Sequence, residues 1–463
     1  MASGILRTSG KDIVDANGNT TTLGGWMLME NFINGFPGRE NQIRAALLKV
    51  LGKEKYDFFF DKFLEYFFTE KDAEFLSSLG FNCLRLSFNY RHFEDDMNPM
   101  VIKVEGFKHL DRAIQLCAKY GIYTILDLHS APGGQNQDWH CDNPTGYAAF
   151  WDHKHFQDRV INLWKVIAAR YKSNPWVAGF NPLNEPADEQ WTRLLSFYDR
   201  IVPAIREIDP EHILFLEGNT FSIDFSGFTG VFPNSVYAIH DYCGFGFPNR
   251  IGRYQEKPEQ DAYIRQMYDR KAAFMKEHNV PVWNGEFGPI YEREDFNPEW
   301  ETHNNERYNM LDRQMAIYPS ESIAWSIWCY KDINVMGLAY LSPESPWLKL
   351  LAPMIKKKRD LAYMVQEWAD YFKDRTFEEL DALAASWKIE NCLQRERLNE
   401  LLKLYAPMTS GDKRLEGKVI QPSVEERTKA KETTSGVGVF ELAPDEKRKR
   451  IEKVEVTPVP VAA

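Results

Sequence analysis

The sequence lacks several features that would assign it to a broad class at once. Its six cysteines include no pair at the two-residue spacing of zinc and redox motifs. No segment is long and apolar enough to span a bilayer, and the N-terminus has no apolar signal core. A net charge of −11 argues against an obligate nucleic-acid partner. We therefore expect a cytoplasmic protein with reduced, buried thiols; disulfides stay an alternative, as does secretion if a leader was removed.

Short apolar runs alternate with longer amphipathic stretches between Thr21 and Tyr330. This alternation predicts parallel strands joined by helices. Eight such units over about 300 residues fit a closed (β/α)8 barrel, the TIM barrel. A doubly wound sheet is the alternative, but no Gly-rich nucleotide turn follows the first run. The runs are Leu23–Met27, Asn82–Ser87, Tyr123–His129, Ala178–Glu185, Ile213–Gly218, Val236–Tyr242, Val282–Phe287 and Ile323–Cys329.

The composition changes twice after the last run. We predict a catalytic barrel over residues 1–345, with long strand-to-helix loops, and a helical extension over 346–405 that packs on it. Residues 406–463 are charged and rich in Thr, Ser, Pro and Val, which predicts a partly extended or disordered tail. The basic run Lys447–Arg450 in this tail is interpreted as a solvated charge cluster, with a nuclear signal as the alternative.

Two glutamates follow apolar runs. Glu185 lies in Asn-Pro-Leu-Asn-Glu-Pro, and Glu286 lies in Trp-Asn-Gly-Glu-Phe-Gly. Side chains at the C-terminal ends of barrel strands point into the mouth of the barrel, where catalysis occurs. Glycosidic cleavage needs one proton donor and a second carboxylate that attacks C1 or activates water. The pair therefore predicts a glycosidase, although either glutamate alone could belong to an ordinary surface turn.

Other polar side chains lie in or at the ends of predicted strands. Arg85 interrupts an apolar strand and must be paired; a catalytic carboxylate is the expected partner, with a structural ion pair as the alternative. His240 and Tyr242 are two residues apart and share one strand face. His129 ends another strand. Trp328 ends the last one and offers a flat apolar face to a sugar ring.

In this order, these residues make the chain resemble glycoside hydrolase family 5, a family of (β/α)8 retaining glycosidases, over roughly residues 20–340. The resemblance implies double displacement, in which Glu286 attacks C1 and Glu185 protonates the leaving group and then activates water. It also implies that Tyr242 contacts the nucleophile and that Asn184 binds the sugar 2-hydroxyl. Arg85 and His240 would hold the two carboxylates.

Within the family, the segments Leu23–Glu30 and Leu128–Asn136 resemble exo-acting β-1,3-glucanases. In that group the residue matching Glu30 binds hydroxyls of the terminal glucose, which implies a β-glucosidase or exo-glucanase. The chain departs from the group in its missing secretion signal and its long C-terminal extension. These departures favour an intracellular β-glucoside, and a glycolipid such as a glycosylceramide or steryl glucoside is an alternative. An endo-glucanase, a mannanase and a non-catalytic carbohydrate-binding barrel also stay open.

The sequence predicts no metal and no cofactor, because neither an HxH motif nor a phosphate-binding glycine loop appears at the strand ends. The expected partner is a carbohydrate or glycoside substrate, with no nucleic acid and no integral membrane segment. The aglycone, the linkage and the oligomeric state are not predicted. Because an acid must carry a proton, we expect Glu185 to have a raised pKa and activity to fall above neutral pH.

Overall fold

Eight parallel strands close into a barrel in chain order, and the last strand pairs with the first. The structure is a computed structural model that describes residues 5–14, 19–246, 251–357 and 369–419. The predicted (β/α)8 fold is confirmed. A short hairpin, Arg7–Ser9 with Asp12–Val14, precedes the barrel. The barrel strands are β1 Asn19–Thr22, β2 Cys83–Asn89, β3 Tyr123–Ser130, β4 Val177–Asn181, β5 Ile213–Glu217, β6 Ser235–His240, β7 Val282–Phe287 and β8 Ala324–Ile327.

The first strand differs from its prediction. It comprises the polar residues Asn19–Thr22, and the apolar run Leu23–Met27 follows it. β-branched threonines suit a pleated strand, and here their hydroxyls also bond to the neighbouring strand. Thr21 donates to the Ile327 carbonyl at 3.0 Å, and the Thr22 hydroxyl lies 2.8 Å from that of Ser326. The apolar run is buried core at the mouth of the barrel.

Helices connect most of the strands. The first long helix, Glu40–Phe67, bends at Gly52, where φ is 71°. In the helices Phe107–Lys119 and Lys154–Tyr171, the buried apolar side chains recur every three or four residues, as expected of amphipathic stretches. Shorter helices are Asn31–Asn34, Asn219–Ser222 and Ala273–His278. The longer ones are α1 Glu40–Phe67, α2 Glu70–Ser78, α3 Phe107–Lys119, α4 Lys154–Tyr171, α5 Arg193–Arg206, α6 Pro258–Lys271, α7 Trp300–Ser320, α8 Pro346–Lys357, α9 Phe377–Ala385 and α10 Glu396–Tyr405.

An aromatic cluster joins α1 to the segment that follows the barrel. The rings of Phe59 and Phe63 stack on Trp347, with centroids 6.2 and 5.7 Å away. Phe67 stacks on Trp387 at 4.8 Å. All five side chains are fully buried. The first crossover and the C-terminal extension therefore share one hydrophobic core.

Part of the predicted tail has a described structure. A 3-10 turn spans Lys413–Leu415, with Leu415 buried. Lys418 forms an ion pair with Asp312 of α7 at 2.8 Å. Residues 420–463, including the basic run Lys447–Arg450, lie outside the described residues.

The six cysteines all lie in the described part of the chain and form no disulfide there. Five are buried and Cys392 is half-buried, as the scattered positions predicted. Among the described residues, no helix has the length and apolarity needed to cross a membrane.

Candidate active site

The two predicted catalytic glutamates meet at the C-terminal mouth of the barrel. Glu286 is near the end of β7, and Glu185 lies four residues past β4 with a left-handed φ of 46°. One carboxyl oxygen of each lies within 4.8 Å of the other and of a ring nitrogen of His240. Retaining glycosidases have carboxyl groups about 5–5.5 Å apart, whereas inverting ones need about 6.5–9.5 Å to admit a water. The spacing is that of direct attack by a carboxylate.

Glu286 is surrounded by hydrogen-bond donors. Arg85 Nη1 donates to its Oε1 at 2.5 Å, and the Tyr242 hydroxyl donates to its Oε2 at 2.9 Å. Its side chain is 5% exposed. Charge-assisted donors on both oxygens orient an ionised carboxylate toward the open mouth. This is the environment that a nucleophile requires.

Glu185 lies between two histidines. His240 Nδ1 is 2.6 Å from Oε1, and His140 Nε2 is 2.8 Å from Oε2. Burial alone would raise the pKa of Glu185, but the hydrogen bonds from both histidines outweigh burial and lower this pKa below its ordinary value. Against the opposing effect of burial, the Glu185 carboxylate raises the pKa of His140. The pKa of His240 is raised, also against burial, by Glu286 and Glu217 and then by Glu185. The raised pKa expected for Glu185 is therefore not what this arrangement produces.

Arg85 is fully buried and connects most of the polar groups. Its Nη2 donates to the side-chain oxygens of Asn181 at 2.9 Å and Asn184 at 2.6 Å. The same nitrogen lies 3.0 Å from Glu217 and 3.3 Å from Asp127. Arg85 therefore pairs with a catalytic carboxylate, as predicted, and it also pairs with two further acids, Glu217 and Asp127.

Glu217 was missed by the sequence analysis. It is the last residue of β5 and is fully buried, and burial raises its pKa. Its Oε2 accepts a hydrogen bond from the Glu185 backbone amide at 2.6 Å, so it supports the left-handed turn that presents Glu185. The signal was available, because Glu217 ends an apolar run as Glu286 does. No motif drew attention to it.

The remaining predicted residues lie on the other side of the pair. His129 Nδ1 is 2.8 Å from Asp127, and its Nε2 is 3.1 Å from Asn184 Nδ2 and 3.5 Å from Glu30. Its ring stacks on Trp328 with centroids 5.2 Å apart and planes at 23°. Burial raises the pKa of Glu30. The structure thus brings all nine predicted site residues into one connected cluster.

His140 has no counterpart in the sequence predictions. It lies on the 3-10 turn Trp139–Cys141 in the loop after β3, with no strand-end pattern to mark it. Its ring lies beside those of Trp139 and Phe221, with centroids 5.8 and 6.2 Å away. Only the path of this long loop brings it to Glu185.

Comparisons with known proteins give a consistent result. Residues 59–334 match the family Cellulase (glycosyl hydrolase family 5). A β-xylosidase of Phanerodontia chrysosporium is 47% identical, over 86% of this chain and 97% of the relative. Endoglucanase C of Acetivibrio thermocellus is 30% identical over 44% of this chain and 58% of the relative. A probable glucan 1,3-β-glucosidase A of Aspergillus clavatus is 27% identical over 48% and 55%.

Among solved structures, that of an endogalactoceramidase superposes with a TM-score of 0.51. Its sequence identity is 18%, and the match covers 71% of this chain and 75% of that one. At this identity the likeness concerns the fold alone.

Proposed function

The chain belongs to the cellulase family, glycosyl hydrolase family 5, and we propose that it is an exo-acting β-glycosidase that releases one terminal glucose or xylose. Members of this family are retaining glycoside hydrolases, so the reaction has two displacements. In the first, Glu286 attacks C1 while Glu185 gives a proton to the departing oxygen. In the second, Glu185 takes a proton from water as that water replaces Glu286 at C1.

The observation that carries this proposal is the close pair of unlike carboxyl groups. Glu286 faces donors that suit an anion, whereas Glu185 faces two histidines with which a proton can be exchanged. Their oxygens lie within 4.8 Å, which suits a nucleophile and an acid/base on one sugar ring. A non-catalytic binding barrel would have no need of such a pair.

The exo mode is supported by the glycone side of the site. Glu30 is buried in the loop after β1 and lies beside His129, where it can accept hydrogen bonds from hydroxyls of a terminal sugar. Phe32 contacts Trp139 edge to face, with centroids 5.7 Å apart. This contact joins the loop after β1 to the loop after β3, which supports a site that is narrowed on that side. A polymer that ran through the site would need it open.

The choice between sugars depends on one hydroxymethyl group. The β-xylosidase relative matches nearly the whole chain, whereas the glucanase relatives match about half of it. Xylose is the smaller sugar because it lacks the C6 hydroxymethyl group of glucose, so a pocket that accepts glucose has room for xylose. The kcat/KM values for nitrophenyl β-glucoside and nitrophenyl β-xyloside show directly which of the two sugars the enzyme prefers.

The decisive experiment uses a β-linked tetra- or pentasaccharide labelled at its reducing end. The expected early products are one monosaccharide and a labelled chain shorter by one unit. Early release of labelled mono- or disaccharide would instead show endo cleavage. The Glu286→Gln protein, prepared in parallel, reveals any contaminating host glycosidase.

A further inference from the structure

Glu185 has a histidine on each of its two oxygens. His240, on β6, contacts Oε1, and His140, on the loop after β3, contacts Oε2. The Glu185 and His140 side chains are 13% and 15% exposed, so the second contact lies at the edge of the site. The His240 side chain is only 1% exposed, so the first contact lies deeper in the site. The two histidines therefore have different access to the proton that a substrate would receive.

His240 is a donor to Glu185 by geometry. Its Nε2 has no hydrogen-bond partner among the described residues, and it lies 3.7 Å from Glu217. The ring hydrogen of a neutral His240 is therefore best placed on Nδ1, where it donates to Oε1 of Glu185. A proton on its way to a leaving group must then be carried on Oε2, the oxygen that faces His140.

Asn136 contacts the same nitrogen of His140 that faces Glu185. Its Oδ1 accepts from the Asp138 amide at 3.0 Å, and its Nδ2 donates to the Glu185 carbonyl at 3.0 Å. These two bonds orient the amide, so that an Nδ2 hydrogen also faces His140 Nε2 at 3.1 Å. Asn136 thus favours an unprotonated Nε2, whereas the carboxylate of Glu185 favours a protonated one. The two influences oppose each other across a single nitrogen.

We propose that Glu185 and His140 hold one proton jointly. In this proposal His140 is the positioning residue that keeps the proton on Oε2 of Glu185, from which it passes to the leaving group. The proposal rests on the proposed glycosidase function. In the first step the proton on Oε2 passes to the glycosidic oxygen as the C1–O bond breaks, leaving Glu185 ionised and His140 neutral. In the second step Glu185 takes a proton from the attacking water, and Glu286 leaves C1 with its electron pair.

Among the described residues, the ionisable groups that act most strongly on the His140 ring are Glu185 on the loop after β4, Glu30 after β1, and His129 on β3. The ring neighbours Trp139 and Phe221 are uncharged. Glu185 raises the pKa of His140, and the hydrogen bonds from His140 and His240 lower the pKa of Glu185, both against the effect of burial. The joint proton therefore leaves at higher pH than it would from a glutamic acid alone.

The test is the pH profile of a variant that keeps a polar side chain but cannot titrate. With an aryl glycoside whose leaving group needs protonation, His140→Gln is expected to move the alkaline limb of kcat/KM down by about one pH unit or more. A dinitrophenyl leaving group departs without a proton. With this substrate the alkaline side of the kcat/KM profile is therefore expected to be the same in wild type and in His140→Gln. His153→Gln, an exposed histidine before α4, is the matched control and should reproduce the wild-type profile.

The outcomes separate the two proposals. If the wild type is active and the alkaline limb of His140→Gln is not shifted, the proposal of a jointly held proton is overturned. The proposed glycosidase function then still stands. An equal loss with both substrates at every pH also overturns it, since it indicates a merely structural role. Wild type that hydrolyses neither glycoside overturns both proposals.

A second measurement does not use the His140→Gln protein, so it does not depend on how that variant folds. An NMR titration of wild-type His140 is expected to give a pKa above 6.5, the ordinary histidine value, and Glu185→Gln should lower it by more than one unit. A His140 pKa that is the same with and without the Glu185 carboxylate contradicts the shared proton.

Discussion

At the scale of single residues, the site is a buried network of charges rather than a pair of acids. Arg85 is fully buried and faces the carboxylates of Asp127, Glu217 and Glu286. Removing one partner from such a network typically costs about 3–5 kcal/mol, because the remaining charge stays buried without compensation. The neutral, isosteric change Glu→Gln is therefore a sharper probe of role than truncation to alanine.

Glu286→Gln tests the nucleophile. An amide cannot form the glycosyl ester, so kcat/KM on a nitrophenyl glycoside should fall by about 10⁴-fold or more. The amide oxygen can still accept from Arg85, so the variant should fold. Steady-state assays measure the loss, and circular dichroism checks the fold. Glu301→Gln, at an exposed glutamate of α7, should behave as wild type; retention of one-hundredth of the activity in Glu286→Gln would refute the assignment.

Glu217→Gln tests the support of the acid/base residue. Glu217 accepts from the Glu185 amide and contacts Arg85, so its loss shifts Glu185 while the reacting groups remain. Misplacement of a catalytic group by about 1 Å can cost about 10²-fold in rate. We expect kcat/KM, which reports the first step, to fall by about that factor on a poor leaving group and much less on dinitrophenyl glycosides. Glu207→Gln, exposed after α5, is the control, and an equal fall on both substrates would contradict the role.

At the scale of elements, the position of Glu185 depends on how β4 meets β5. Gly179 of β4 pairs with Ile213 of β5. A Cβ on Gly179 would lie 2.1 Å from the Ile213 carbonyl oxygen and 2.9 Å from the Phe215 ring. The strands can approach this closely only because the position has no side chain. The glycine thereby helps to align the end of β4 with Glu217.

Gly179→Ala should push the two strands apart. Overpacking of this kind costs about 1–3 kcal/mol, and backbone contact places this position at the upper end. We expect a lower melting temperature together with reduced kcat, both measurable on the purified variant. Gly230→Ala is the control, because its Cβ would meet nothing within 4 Å. Equal melting temperatures for the two variants would argue against the close approach.

A second element, the turn after β5, is strained. Thr220, Phe221 and Ser222 all have left-handed φ values, of 54°, 58° and 62°. Such conformations cost non-glycine residues about 1–2 kcal/mol each. Here hydrogen bonds to the Pro186 and Ala238 carbonyls hold the turn in place. The result is that the Phe221 ring stands beside His140 at the edge of the site.

At the scale of the whole molecule, the barrel is completed by the residues that follow it. Lys331 is buried and donates to the carbonyls of Phe67 and Trp387, which joins the segment after β8 to α1 and the extension. Arg395 donates to the Gly337 carbonyl at 3.1 Å and thus supports the segment after β8. The extension therefore stabilises the side of the mouth to which Trp328 belongs.

Phe63→Ala tests this shared core. Phe63 is fully buried and lies against Trp347 and Trp387. Removing a buried phenylalanine ring costs about 3–5 kcal/mol. We expect a lower melting temperature in a single transition, and faster proteolysis of the extension, by calorimetry and limited trypsin digestion. Leu48→Ala on the same helix is the control, since Leu48 is 44% exposed; two separate transitions would mean that the extension unfolds independently.

The sequence alone determined the fold and most of the site. Arg85, His129, Glu185, His240 and Glu286 each lie within a predicted apolar run or at its end. A closed barrel of parallel strands brings all such ends to one rim, so their order along the chain was enough to group them. The first strand was misplaced, because polar β-branched threonines pair as well as apolar residues when their hydroxyls find partners.

Only the tertiary structure decided which groups touch Glu185. His140 comes from a loop whose path depends on distant contacts, and Glu217 acts through a backbone amide that no side-chain pattern shows. The direction of the Glu185 pKa followed from these contacts, since a pKa depends on the distance to neighbouring charges and not on their order in the chain. Strand periodicity is local and can be read from the sequence, whereas the electrostatic field at the site is a sum over the folded molecule.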